Sequence, residues 1–190
     1  MPSRPASYAD LEAVPPHLVA EILSGELVTH PRPVPRHGVA TNAVSGILSG
    51  PYQFGMNGPG GWIFADKPEL HLDDDVVVPD LAGWRRDRLT AAAVNKAYIE
   101  VAPDWVLEVL SPSTEKYDKG EKRRIYATHG VRHLWLLDPR SQSLETFILT
   151  ETSWLVGDTY FGAVDVCATP FNAITFPLGL LWPFDPPGQA

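Results

Sequence analysis

The alternation of apolar and polar residues predicts most of the elements. From Trp105 to Leu110 every position is apolar except Glu108. Pro103-Asp104 and Ser111-Pro112-Ser113 bound this run, which predicts a strand buried on both faces. Asp118, with Glu121 three residues on, has the form of a capping box. The spacing then predicts a helix from Lys119 to about His129, with Gly130 as its left-handed stop. Arg132 to Asp138 is a second apolar run. Strand, helix and strand with short joints predict a right-handed crossover and a parallel strand pair.

Upstream, two short alternating runs flank Ser24-Gly25 in LVAEILSGELVTH, the signal of a hairpin. Alternation puts Val19, Glu21 and Leu23 on one face, so Glu21 is either an exposed strand carboxylate or one turned towards a site. Ser7 and Asp10 cap a short helix over Tyr8–Ala13, closed by Pro15-Pro16. After the rigid connector Pro31–Pro35, apolar residues at helical spacing predict a helix from His37 to Ser49. His37 stands where a cap or surface residue is expected. Residues 51–61 form a Gly- and Pro-rich loop without a phosphate-loop pattern. Strands over Trp62–Ala65 and Glu69–Leu72 follow. The acidic turn Asp73–Asp75 lacks the spaced ligands and closing Glu of an EF-hand loop and reads as a solvated turn. Val76 to Trp84 is a strand signal interrupted by Pro79. A proline removes a ladder donor, so the strand bends or ends there and re-aims Asp80. A strand over Leu144–Leu149 precedes short strands and loops. These elements predict an α/β (α+β) fold in one domain over residues 1–183. Residues 1–6 are expected to fray, and the Pro-rich tail 184–190 to be disordered.

Composition narrows the function class. With 190 residues and 44% hydrophobic content, the chain is long and apolar enough to bury a sizeable core. It has no apolar run of membrane-spanning length and no apolar signal-peptide core near its N-terminus, so a cytoplasmic location is expected. Cys167 is the only cysteine, which excludes an internal disulfide and a cysteine-based zinc site. The net charge of -8 argues against a general nucleic-acid coat protein, but not against an enzyme that touches nucleic acid locally. Positive charge gathers at Arg85, Arg86 and Arg88, and again at Lys116, Lys119, Lys122, Arg123 and Arg124. Such clusters are either solvated surface or phosphate contacts.

Three residues carry candidate chemistry: Asp80 at a bent strand, Glu108 inside an apolar strand, and Lys122 early in the next helix. A carboxylate buried without a partner is costly, so Glu108 requires a cation, a metal or a proton. Two carboxylates converging on one point bind a hard cation such as magnesium. A nearby ammonium orients water and stabilises charge that builds on a phosphate. Plainer roles exist for each: Asp80 capping a bulge, Glu108 paired with Lys122 without metal, Asp118 capping a helix, Tyr126 packing in the core. Ser111 and Ser113 are turn formers, and no Gly-x-Ser-x-Gly elbow supports a serine nucleophile.

The order of these residues resembles the Uma-type restriction endonuclease family of the PD-(D/E)XK nuclease superfamily. The resemblance rests on Val-Pro-Asp80, the run from Glu108 through Ser111-Pro-Ser-Thr, Asp118 with Lys122 and Tyr126, and Gly130-Val ahead of Leu134-Trp135-Leu-Leu-Asp138-Pro. Glu21-Ile-Leu-Ser-Gly25 and His37 fit the same pattern, so it spans roughly residues 7 to 180. It implies a restriction endonuclease-like core with a central mixed β-sheet flanked by helices. It also implies a phosphodiesterase site using magnesium, or manganese in its place. Asp80 and Glu108 would be the metal ligands, with the Val109 carbonyl as a third, Lys122 the catalytic lysine and Glu21 an accessory acid. DNA would be the substrate, with Arg85, Arg86, Lys119, Arg123 and Arg124 as phosphate contacts, and cutting both strands calls for a homodimer. The chain departs from the superfamily at Leu110, where a lysine usually follows the Glu by two residues, so Lys122 must serve from the helix. Three functions stay open on the sequence: a metal-dependent endodeoxyribonuclease, a nuclease fold acting as a binding or regulatory module, and a hydrolase of smaller phosphoesters.

Overall fold

Ser24 and Gly25 both hold positive φ angles (54° and 80°), which a two-residue hairpin turn requires. They join β1 (Leu18–Leu23) to β2 (Glu26–Pro31) in the expected register, with Ile22 opposite Leu27. The structure, a computed structural model, describes residues 4–184. Residues 1–3 of the expected frayed end and 185–190 of the expected disordered tail lie outside the described residues.

Two sheets position the site. The smaller has the order β2-β1-β5-β4, where β4 is Leu70–Leu72 and β5 is Asp75–Val77. The larger has six strands. Its centre is β7 (Trp105–Val109) parallel to β8 (His133–Asp138), as the crossover signal predicts. On one side of this pair lie β6 (Leu81–Arg85) and β3 (Trp62–Asp66); on the other lie β9 (Ser143–Thr150) and β10 (Ser153–Phe161), all antiparallel to their neighbours. A small ribbon pairs β11 (Asp165–Val166) with β12 (Phe176–Pro177). One mixed sheet and one antiparallel sheet with few helices make this an α+β fold. No helix among the described residues is long and apolar enough to cross a membrane.

The pleat of β7 divides the core. Trp105, Leu107 and Val109 join one apolar cluster with Ala40, Val44 and Leu48 of α2 (Pro35–Leu48). Val106 and Leu110 join a second cluster with Ile125 and Tyr126 of α4 (Glu121–Thr128) and with Leu23 and Val77 of the smaller sheet. Glu108 takes its place in the alternation between Val106 and Leu110, on the face that looks towards α4 and the smaller sheet.

Three elements differ from the expected ones. The helix after β7 is two helices, α3 (Glu115–Lys119) and α4, broken at Gly120. Gly120 holds φ -108° and ψ -95°, and a Cβ there would lie 2.7 Å from the Lys116 carbonyl oxygen. The first helix starts early because the Glu115 N–H finds the Ser111 carbonyl (2.9 Å). Asp118 is therefore not a helix cap; it sits inside α3 and is buried. The run from Val76 to Trp84 is two strands in different sheets, with Val78-Pro79-Asp80 crossing between them. Finally, β10 is a nine-residue edge strand where short strands and loops were expected. The N-terminal helix α1 (Tyr8–Glu12) keeps its expected cap, with the Ser7 N–H and hydroxyl both donating to Asp10 (2.8 and 2.7 Å).

Candidate active site

The crossing segment brings the two sheets' carboxylates together. Because Pro79 has no N–H, the ladder stops at Val77 and the chain swings to the larger sheet. The Val78 N–H donates to Glu21 Oε1 (2.7 Å), and the Val78 carbonyl accepts from Lys122 Nζ (3.3 Å). Leu81 pairs with Leu107 across β6 and β7, so one register step further sets Asp80 opposite Glu108. The Val109 N–H donates to Asp80 Oδ2 at 2.8 Å. Asp80 therefore does cap a strand end, and it does so beside Glu108. Val109 thus meets the site through its N–H.

Lys122 stands at the centre. Its Nζ lies 2.8 Å from Glu108 Oε1, 3.2 Å from Glu21 Oε1 and 3.5 Å from Asp118 Oδ1. The Tyr126 hydroxyl, one helical turn on, donates to Glu108 Oε1 at 2.5 Å. Both contacts of Glu108 use the same oxygen. Leu110, where the superfamily usually carries its lysine, is buried in the apolar cluster instead. The ammonium beside Glu108 comes from α4.

Glu21, Glu108, Asp118 and Lys122 are each no more than 3% exposed, and Asp80 is 8% exposed. Three of these carboxylates, Glu21, Glu108 and Asp118, surround one buried ammonium, and their protonation follows from that imbalance. Burial drives Glu108 well above the usual carboxylate range; Lys122 opposes this, while Asp118, Asp80 and Glu21 add to it. Burial likewise raises Asp118. In Lys122 burial works downwards, but Glu108 and Glu21 outweigh it and hold the ammonium well above the usual lysine range. Glu21 stays low, because Lys122, His30 and the Val78 N–H overcome its burial.

Asp80 has partners of its own. Lys67 Nζ lies 2.7 Å from Oδ1, and His37 Nε2 lies 3.0 Å from Oδ2. Against burial, His37 and Lys67 hold Asp80 at about 2. His37 is buried, not the cap or surface residue its position predicts, and its Nδ1 has no hydrogen-bond partner. Sequence reasoning missed Lys67 and also His30, whose Nε2 lies 3.6 Å from Glu21 Oε2. Lys67 holds φ 44°, an uncommon backbone for a long side chain and a signal visible only in the structure.

The expected phosphate contacts lie elsewhere. Arg85 stacks on Trp62 (4.2 Å), at the end of β6 away from Asp80 and ~17 Å along the strand at ~3.3 Å per residue. Arg86 donates to the Gln53 and Trp62 carbonyls (2.9 and 3.3 Å). Lys119 pairs with Glu115 (2.7 Å), Arg124 pairs with Glu121 (2.5 Å), and Arg123 lies over Phe147 (4.3 Å). None of them lines the cavity of about 370 Å³ that opens on Asp80, Glu108, Asp118 and Lys122. Its basic rim is Lys67 and Arg32. Clustering along the sequence does not reveal which end of a strand a charge occupies.

The donor set fits a magnesium-type ion and not a zinc-type one. Among the described residues no three His, Cys, Asp or Glu side chains converge as a metal site. Magnesium is commonly held by one or two carboxylates with the remaining positions filled by water and substrate oxygen. Asp80 and Glu108 supply that number. Burial raises Glu108 and Asp118, and a divalent cation, were one bound, would favour their charged forms.

A family model described as "putative restriction endonuclease", Uma2, matches residues 5–161. No protein of curated function matches the chain. Among solved structures, the chain is similar to a nuclease described as putative and belonging to DUF820, from Anabaena variabilis ATCC 29413. The TM-score is 0.72 at 19% identity, covering 93% of this chain and 97% of the other. At that identity the likeness speaks for the fold. The family match covers most of the chain and includes the whole buried cluster, from Glu21 to Lys122. The chain therefore belongs to the Uma2 family of putative restriction endonucleases.

Proposed function

We propose that the protein is a magnesium-dependent endonuclease that hydrolyses DNA phosphodiesters in the cavity above Asp80 and Glu108. One observation carries this reading: Lys122 Nζ reaches Glu108 at 2.8 Å from a helix, although the strand position that usually bears the lysine is Leu110. Asp80 and Glu108, with the Val109 carbonyl, would hold magnesium or manganese. The bound ion would polarise the phosphodiester and lower the pKa of a water. Lys122, kept protonated by its neighbours, is a hydrogen-bond donor to phosphoryl oxygen, not a base. Water gives up a proton to solvent and attacks phosphorus, the ester P–O bond breaks, the leaving alkoxide takes up a proton from solvent, and the ammonium stabilises the charge on the phosphoryl oxygens. Glu21 is a positioning residue: it fixes Lys122 and the Val78 turn without lining the cavity.

The test incubates plasmid and linear DNA with the protein and magnesium or manganese. Cleavage is expected, and Asp80→Ala and Glu108→Ala are each expected to abolish it. Activity surviving in both variants would sink the assignment. Cutting both strands of a duplex would need a second copy, which light scattering checks. One observation favours a second reading, a nuclease fold that binds without cutting: both oxygens of Asp80 already have internal partners, Lys67 and His37. That reading predicts no cleavage and no magnesium-dependent rise in melting temperature. A rise that disappears in Asp80→Ala argues against it.

A further inference from the structure

The lining of the cavity is of two kinds. One part is polar, with Lys67, Arg32 and the hydroxyl residues Ser111 and Thr114. Another is stiff and apolar, with Pro15 and Pro16 ahead of β1 and Pro31 and Pro33 around the end of β2. Proline fixes its own φ, so these walls do not open by simple backbone rotation. Arg32 Nη2 donates to the Pro16 carbonyl (2.8 Å) and ties the two proline segments together. Below them lie Glu108 and Lys122, 2% and 3% exposed. His37 lines the same cavity.

A duplex holds its phosphates on two outer rails at a spacing set by pairing and stacking. To reach groups this recessed, a phosphodiester must leave that rail and enter the cavity. The volume of about 370 Å³ is that of a pocket for one small molecule, roughly 300–1,000 Å³, and not of a groove for a helix. We propose that the substrate enters as one nucleotide unit of an unpaired strand, with its base against the proline walls, its scissile phosphate over Glu108 and Lys122, and the next phosphate of the strand between Lys67 and Arg32. This rests on the nuclease reading and narrows it to single strands, overhangs and flaps. Unpaired nucleotides avoid the unpairing and unstacking that a duplex must undergo, which is the source of the selectivity.

The experiment is fluorescence anisotropy with the full chain at fixed low salt. The probes are a short fluorescein-labelled phosphorothioate DNA strand, the same strand in a blunt duplex, and the same strand as an overhang. The free strand and overhang are expected to bind at least about tenfold more tightly than the blunt duplex. Lys67→Ala and Arg32→Ala replace exposed residues that also contact Asp80 and the Pro16 carbonyl, so the melting temperature of each variant is matched to the parent's before its binding is read. Each should weaken strand binding by roughly fivefold or more, as loss of a phosphate contact does. Equal binding of strand and duplex, with plasmid cleavage still lost in Asp80→Ala, overturns the unpaired-strand proposal and leaves the nuclease reading standing. A strand preference untouched by Lys67→Ala and Arg32→Ala overturns the cavity as its seat. Failure to bind any of the probes, together with no cleavage of plasmid, overturns both.

Discussion

Lys122→Met is the sharpest perturbation of the buried cluster. Methionine keeps the length and apolar stem of the side chain and removes the charge. Three carboxylates lose a partner at once: Glu108 at 2.8 Å, Glu21 at 3.2 Å and Asp118 at 3.5 Å. Removing one member of a buried pair costs about 3–5 kcal/mol, because the remaining charge has neither water nor counter-ion. Part of that cost can be relieved by protonation, which gives the prediction its pH dependence. Burial already raises Glu108 above its ordinary value of 4.5, and loss of Lys122 removes the main opposing influence. A carboxyl raised in the folded state contributes stability below the unfolded pKa and loses it as pH rises through the folded one. The deficit of Lys122→Met should therefore be largest near about pH 7.5 and shrink towards about pH 5. Adding Glu108→Gln removes one uncompensated charge and should recover about 1–2 kcal/mol, a coupling typical of groups in direct contact. Urea unfolding followed by tryptophan fluorescence measures all three chains. A Lys122→Met chain within about 1 kcal/mol of the parent at both pH values would refute the reasoning, since the cost of stranding a buried charge is several times larger. So would a double variant less stable than the single one.

Other outcomes follow from single sites. Tyr126→Phe removes the 2.5 Å hydrogen bond to Glu108 and should cost about 1–3 kcal/mol in the same urea assay. Gly83→Ala would set a Cβ 2.9 Å from the Phe64 ring and 3.2 Å from Trp105, so an overpacking loss of about 1–3 kcal/mol is expected from thermal melts. Burial, with Arg85 and Arg132 nearby, holds His133 at about 4, below its ordinary 6.5. The unfolded chain then takes up the proton first, and stability falls as pH drops from 6.5 towards about 4. The full span corresponds to at most about 3 kcal/mol, and solvent contact reduces this to about 1–2 kcal/mol. His133→Leu should flatten that part of the acid limb; an unchanged slope would remove His133 as its cause.

The strands and the central crossover were legible because their signals are local. The Ser24-Gly25 turn, the apolar runs around Glu108 and Leu136, and Gly130 each act within a few residues. Glu108 was legible because a carboxylate in an apolar run has few outcomes. The rest of the site was less so. Lys67 and His37 meet Asp80 from two other segments of the chain, and neither carries a pattern that names its partner. Asp118 and Glu121 fit a capping box, but Gly120 breaks the helix between them and turns Asp118 inwards. The arginines after β6 read as site residues because Asp80 is near in sequence; a strand carries them to its other end.

The crossing at Val78-Pro79-Asp80 has a consequence for how the chain matures. Glu21 meets Val78 across 57 residues, and Lys122 meets the same residue across 44. Contacts of such long range close late, after each sheet has acquired its own hairpins. An incompletely folded chain accordingly has its acidic groups scattered and hydrated, with no assembled centre. A growing or partly unfolded copy of this protein thus lacks the cluster of Glu21, Glu108 and Lys122, which arrives together with the docking of one sheet on the other.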